Sequence, residues 1–317
     1  MHIMPYSRSG VPLCLLFLFQ FYQNSSSTNL TTLAEPINPR FRIEVVYGPT
    51  QFNSISCLMT AVNALSILAD IDYHGQVREL HYTMTQYPDF VIDLQPVGLA
   101  TDVENRFAVW GLYLTTKTIV EARKSRECET ALYWDEDIVG LLSFKNPGTP
   151  PPKGVDNGSR FGSFNGSIST NAMNWNYSSP DTQVDIIFHA APDAPSLNYL
   201  DVFITVMATL KDLAQFPSTQ RMTAFAARAG QGYDAKISFP AEDPPRTRPP
   251  YFQVRWAIEV VRQLPAWVLN RGRWSEVGWA IVIGGQFVGE GVLERGTVEG
   301  QDGTEVMEAY MGNVSVF

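Results

Sequence analysis

The stretch that most limits the fold runs from Gln183 to Phe216, QVDIIFHAAPDAPSLNYLDVFITVMATLKDLAQF. Val184, Ile186 and Phe188 alternate as in a half-buried strand, and the Pro/Asp-rich HAAPDAP then turns the chain. Leu200, Phe203, Ile204, Met207 and Leu210 recur at the three-and-four spacing of a one-sided helix, with Ser196 as its expected cap. The first half carries a weaker echo from Arg42 to Asp72. There RIEVVY reads as a strand, Ser54 or Ser56 can cap, and Leu58, Ala61, Val62, Leu65 and Leu68 form the stripe.

The echo extends further. In the first half, Gln76–Gln86 and Phe90–Leu94 alternate about a turn at Tyr87-Pro88-Asp89. A Ser/Thr-x-x-Glu capping box at Thr101–Glu104 opens a second helix with Val103, Phe107, Trp110 and Leu114 on one face, and Thr130–Phe144 is a hairpin turning at Asp135–Asp137. The second half repeats this order. Arg221–Arg228 and Ala235–Phe239 make a hairpin, a helix carries Phe252, Trp256, Val260 and Leu264 until Pro265 must kink or restart it, and Trp279–Val292 closes. Aligning Leu58 with Leu200 also aligns Val62 with Ile204, Leu65 with Met207 and Leu68 with Leu210, and a separate alignment of the second helices sets Phe107 against Phe252. Strand-helix-strand-strand-helix-strand is the ferredoxin-like order. The expected fold is therefore α+β: two tandem ferredoxin-like repeats (βαββαβ plus an extra strand), antiparallel sheets with helices on one face, paired about a pseudo-two-fold.

Punctuation along the chain sets the boundaries. Residues 1–23 read as a signal peptide: Arg8 precedes the apolar run Val11–Phe21, which is shorter than the roughly 20 residues a bilayer requires, and a Ser/Thr/Asn-rich exit follows. A disordered lead (24–40) comes next, then repeat 1 (41–146), a Pro/Gly/Ser/Asn-rich linker (147–181), repeat 2 (182–296) and a C-terminal tail (297–317). Six N-x-S/T sequons fit the same compartment. Asn157, Asn165, Asn176 and Asn313 are the better glycosylation acceptors, while Asn24 and Asn29 lie close to the cleavage region. Once the signal and its Cys14 are removed, Cys57 and Cys128 remain, enough for one disulfide or for two buried thiols.

Chemistry is sparse. The net charge of −9 and the lack of an evident Lys/Arg cluster argue against nucleic acid as a partner. No HExxH, CxxC, GxSxG, P-loop or GxGxxG motif occurs. His74, His81 and His189 have no metal-ligand spacing, so neither a metal nor a cofactor is expected. Asp135, Glu136 and Asp137 are the candidate cation or acid cluster, although successive turn residues point in different directions. Trp134, Trp175, Trp267 and Trp274 are candidates for a sugar-stacking platform, whereas Trp110 and Trp256 sit on helix stripes and read as core.

With its signal peptide, its YLDVFITVMATLKDLAQFP helix and the repeated order of elements, most of the mature chain resembles uncharacterised secreted proteins of filamentous fungi. That resemblance implies no activity, since no catalytic residues carry over from it. The expectation is a secreted, glycosylated, non-catalytic tandem-repeat protein that binds an extracellular glycan or protein and spans no membrane after signal cleavage. The alternative is an extracellular hydrolase, with glycans as one candidate substrate, whose carboxylates face each other about 5 to 10 Å apart in a cleft between the repeats.

Overall fold

In the computed structural model, which describes residues 36–147 and 184–296 except 99, 223, 231 and 242–245, the β-branched run after Arg40 becomes the edge strand of a sheet. This strand, β1 (Phe41–Gln51), leads into α1 (Ser54–Asp70). A short β2 (Gln76–Val77), the hairpin β3 (Leu80–Met84) and β4 (Tyr87–Gln95), and a short β5 (Val103–Glu104) follow. Then come α2 (Asn105–Glu121), β6 (Arg126–Trp134) and β7 (Asp137–Lys145). The second half has β8 (Val184–His189), α3 (Tyr199–Leu213), β9 (Phe225–Arg228), β10 (Ala235–Phe239), α4 (Val254–Arg271), β11 (Val277–Ile283) and β12 (Gln286–Arg295). The signal peptide, the glycosylation sequons, Trp175, the C-terminal tail and nearly all of the linker lie outside the described residues.

Both large sheets are five-stranded and antiparallel, ordered β1-β6-β7-β4-β3 and β8-β11-β12-β10-β9, so equivalent strands hold equivalent places. The order departs from the expected ferredoxin-like one. In each half only the second crossover is a split β-α-β, as in β4–α2–β6 around β7. The first crossover, β1–α1–β3, spans from one edge of the sheet to the other. β1 lies outside β6 rather than between β6 and β4, and the strand added by the last hairpin, β7, takes the place between β6 and β4.

The helices of the two halves meet face to face. α1 touches α3 and α4, and α2 touches α3, a pattern unchanged when the halves are exchanged. A single apolar core runs from Phe41 to Leu293 within the compact unit Thr32–Gly296. Because α1 lies between its own sheet and the helices of the other half, it is buried on nearly every side. Its buried Ser66 donates to the Asn63 carbonyl (2.7 Å), and its buried Asn63 donates to the Met59 carbonyl (2.9 Å) while accepting from Arg262 of the other half (3.1 Å).

Several local expectations shift by a few residues. Asn53 caps α1 in place of Ser54 or Ser56, its carboxamide oxygen accepting from the amides of Ile55 (2.8 Å) and Ser56 (3.2 Å). Asn198 replaces Ser196 as the cap of α3. These paired caps set Leu58 opposite Phe203, three residues from the alignment read off the sequence. Three residues is nearly one helical turn, so the apolar stripes match in either register. The Thr101–Glu104 box does not cap α2, because Val103 and Glu104 pair with Val77 and Gln76. Asn105 instead reaches back to the carbonyls of Leu68 (2.9 Å) and Asp72 (3.2 Å), tying α2 to the end of α1. The β3–β4 hairpin turns at Thr85-Gln86, and Pro88 lies in a bulge of β4 before the β7 ladder begins at Val91, where a missing N–H leaves no gap. α4 continues through Pro265.

Candidate functional site

The residues singled out from the sequence do not converge. Asp135 and Glu136 form a two-residue turn, which the paired Trp134 and Asp137 flank. Asp135, in the left-handed region at φ 53°, accepts from Arg40 Nε at 2.7 Å, and this bond holds its carboxyl below the usual range. Glu136 points into solvent with Arg42 at 3.6 Å. Among the described residues no group of three or more His, Cys, Asp or Glu is placed to hold a metal. His74 pairs with Glu104 (3.1 Å), His81 with Asp93 (2.5 Å), and His189 is exposed at the end of β8.

The tryptophans are likewise used separately. Trp134 lies under the guanidinium groups of Arg40 (4.5 Å) and Arg106 (5.0 Å), Trp267 packs on Phe188, and Trp274 packs on Tyr199 and Phe203. Trp110 is core, whereas Trp256 is only half-buried beneath Arg255. Cys57 and Cys128 are both buried free thiols, so the bridge between them is not formed. Burial pushes Cys57 well above the usual thiol range and Cys128 up to about 12.

The described cavities instead flank the junction of β1 and α1. There β1 passes into α1 through only Phe52 and Asn53. The α2–β6 turn comes alongside, with Phe52 N donating to Ser125 O (3.1 Å), Gln51 paired to Arg126, and the Ser54 and Ser125 hydroxyls 2.6 Å apart. Asn146, at the end of β7, donates to Gln51 O (3.2 Å), and Asp89 accepts from Ser56 (3.2 Å). Two hollows flank Gln51 and Phe52. One, of about 520 Å³, is lined by Tyr47, Ser54 and Arg123–Arg126. The other, of about 390 Å³, is lined by Asn53, Asp89, Asn146 and Pro147.

The larger hollow is basic. Arg123, Lys124 and Arg126 are exposed, and none of them meets a carboxylate among the described residues. Lys124 Nζ stands 5.0 Å from the Tyr47 ring centre. The Tyr47 hydroxyl is buried with no hydrogen-bond partner among the described residues, and burial raises its pKa. In the sequence these cations are spread across the turn of ARKSR. The absence of a Lys/Arg cluster expected from the sequence is thus corrected: the turn docks against the end of β1 and gathers three cations around one hollow.

The same corner of the second half provides an internal control. Ser196 bridges Ser275 as Gln51 pairs with Arg126, and Leu197 N donates to Trp274 O (2.9 Å) as Phe52 does to Ser125. Gly272, at φ 66°, holds the left-handed place that Arg123 holds at φ 52°. Arg273 therefore corresponds to Lys124. The stretch Ala190–Asn198 is two residues longer than its counterpart Tyr47–Asn53, and it leaves the sheet and folds over this corner, where Tyr47–Gln51 stays in β1. Arg273 donates to the carbonyls of Pro192 and Ala194 (2.7 Å to the latter), and Arg295 to that of Ser196 (2.7 Å). One corner is closed by its own loop; among the described residues nothing closes the other.

What the fold and site define is a class only: two like-ordered antiparallel α+β halves sharing one core, with one open basic corner. No protein-family model matches the chain, and no curated protein matches it. Among solved structures, the crystal structure of the tandem DUF26 ectodomain from the Arabidopsis thaliana cysteine-rich receptor-like protein PDLP8 aligns over 80% of this chain and 96% of that one, at 8% identity and a TM-score of 0.21. No helix among the described residues is long and apolar enough to cross a membrane.

Proposed function

We propose that the chain is a secreted, glycosylated, non-catalytic binding protein whose ligand seat is the open corner of the first half. The asymmetry of the two corners carries this reading. Matching hydrogen bonds build both corners, yet the basic residue of one is bonded to its own loop, while those of the other surround a hollow. Secretion and glycosylation rest on the N-terminal pattern and the sequons. The expected partner is an extracellular glycan or protein.

The hydrolase reading looks for facing carboxylates between the halves. The acids at that seam are each held by a partner: Asp212 by Lys211, Glu259 by Arg262, and Glu121 by Lys117 (3.6 Å) and the Tyr233 hydroxyl (3.0 Å). Asp70 and Glu259 do approach across it, burial and the Glu259 charge together raising the Asp70 carboxyl, but Asp70 accepts from Ser218 and Glu259 is taken by Arg262. That arrangement favours binding over hydrolysis.

The test uses the full chain secreted from a eukaryotic host and applied to a glycan array and a hydrolase panel. The reading expects a size shift on enzymatic deglycosylation, retention on the array, and no turnover. Gln51→Trp fills the hollow at an exposed strand end, so it should abolish retention without moving the melting temperature. Turnover on the panel, or retention untouched by Gln51→Trp, would count against the reading.

A further inference from the structure

We infer that the open corner is built for a saccharide bearing an oxyanion, a carboxylate or a sulfate ester, rather than for a neutral sugar. This rests on the open corner being a ligand seat, and adds what the seat selects. Gln51 and Phe52 are shared by two hollows of opposite character. On one side Asn53, Asp89 and Asn146 offer amide and carboxylate groups suited to hydroxyls, beside the Phe52 ring. On the other, Arg123, Lys124 and Arg126 offer positive charge without a described carboxylate, and the buried Tyr47 hydroxyl has an unused donor. A ligand satisfying both sides carries hydroxyls and an anionic group on one short framework.

The second half shows what a basic side chain at this corner does when acceptors are near: Arg273 takes two carbonyl oxygens from the loop above it. In the first half no loop among the described residues supplies them, so a ligand's oxyanion takes that role. Three cations on a chain of net charge −9 suit one or two anionic groups better than a phosphate polymer. Their exposure sets the strength: the contacts exchange water for oxyanion, so binding should be moderate and weaken as salt rises.

The experiment titrates the secreted full chain calorimetrically with tetragalacturonate, with its fully methyl-esterified form, with a heparin-derived tetrasaccharide, and with inorganic sulfate and phosphate alone. A preference of about tenfold or more for at least one charged tetrasaccharide over the neutral ester is expected. Comparison of the first and third arms tells carboxylate from sulfate ester. Arg126→Gln should weaken that ligand about tenfold, the loss of one charged hydrogen bond. Arg123→Gly should also weaken it while leaving the fold at least as stable, so weakened binding cannot be put down to unfolding.

Equal binding of the charged and esterified forms, or no effect of Arg126→Gln and Arg123→Gly, would overturn the inference. So would inorganic sulfate or phosphate binding as tightly as the saccharides. If charged and neutral forms bind alike and Gln51→Trp abolishes both, the seat stands and the anionic preference alone fails. If Gln51→Trp leaves every ligand bound, the seat itself is wrong.

Discussion

Glu290 provides the sharpest test of the sheet geometry. It lies in β12 between Gly289 and Gly291, with Ala280 directly across on β11. Gly291 pairs with Trp279, whose ring covers it on the helix side, so alternation turns Glu290 to the outer face of the second sheet. Burial there, without a matching cation, raises its carboxyl from 4.5 to about 7. A raised acid pKa means the folded state holds the proton more tightly than the unfolded chain. Folded stability is therefore greatest at low pH and falls as pH rises from 4.5 through 7. At about 1.4 kcal/mol per pKa unit, the ionised carboxylate costs at most about 3 kcal/mol above pH 7. Glu290→Gln mimics the protonated form at every pH. In urea denaturation from pH 4 to 9, the stability of the variant minus that of the wild type should be near zero at pH 4 and rise to about 2 to 3 kcal/mol by pH 8. The neighbouring charges Asp185, His189, Arg228, Lys236 and Glu294 share that face and are present in both proteins, so they cancel in the difference. A flat difference curve, or one favouring wild type at high pH, would refute the outward, desolvated placement.

Other perturbations test the rest of the architecture. A Cβ added at Gly291 would lie 2.6 Å from Trp279 Cζ2 and 2.7 Å from the Ser238 carbonyl oxygen, which is fixed in the β10 ladder; Gly291→Ala should cost about 2 kcal/mol in urea denaturation, and an unchanged midpoint would refute that packing. Lys211→Met strands the buried Asp212, whose carboxyl burial already raises, so it should cost about 3 kcal/mol near neutral pH and progressively less as acidification protonates Asp212; a cost that grew on acidification would contradict the pairing. Cys57 and Cys128 should resist iodoacetamide in the native protein at pH 8 and react only on unfolding, as read by mass spectrometry. Arg123→Gly relieves a left-handed arginine and should raise stability by about 1 kcal/mol in the same assay, whereas a lower midpoint would show that Arg123 holds the turn together.

The sequence revealed the elements more readily than their pairing. Period-two and period-3.6 patterns suffice to recognise Val184–His189 and the Leu200–Leu210 stripe, because each is set by which face is buried. Strand order depends on contacts far apart in the chain, which is why the closing hairpin could be recognised while its insertion beside the edge strand could not. The caps at Asn53 and Asn198 were hidden among neighbouring serines able to do the same job. The basic hollow was missed for a related reason. ARKSR shows its charges, but nothing local indicates that the end of α2 meets the end of β1, or that the equivalent Arg273 is satisfied by carbonyls. That comparison becomes available once the left-handed positions of Arg123 and Gly272 set the two turns in register.

The two corners also indicate why a repeated unit should keep its open site on the half with the short connection. A guanidinium taken from water needs acceptors, and the 190–198 connection supplies them to Arg273 as part of the fold. Such a corner gains rigidity and loses the chance to bind, because a ligand would have to displace a loop anchored by Arg273 and Arg295. Where β1 passes to α1 through Phe52 and Asn53 alone, that connection cannot fold back, so among the described residues the cations stay hydrated at little cost to stability. Hydrated cations beside a preformed hollow exchange water for an oxyanion without reordering the backbone, since Phe52 and Gln51 are already pinned to the α2–β6 turn. Grafting a connection of the 190–198 kind between β1 and α1 would therefore be expected to stabilise the first half and silence its site together.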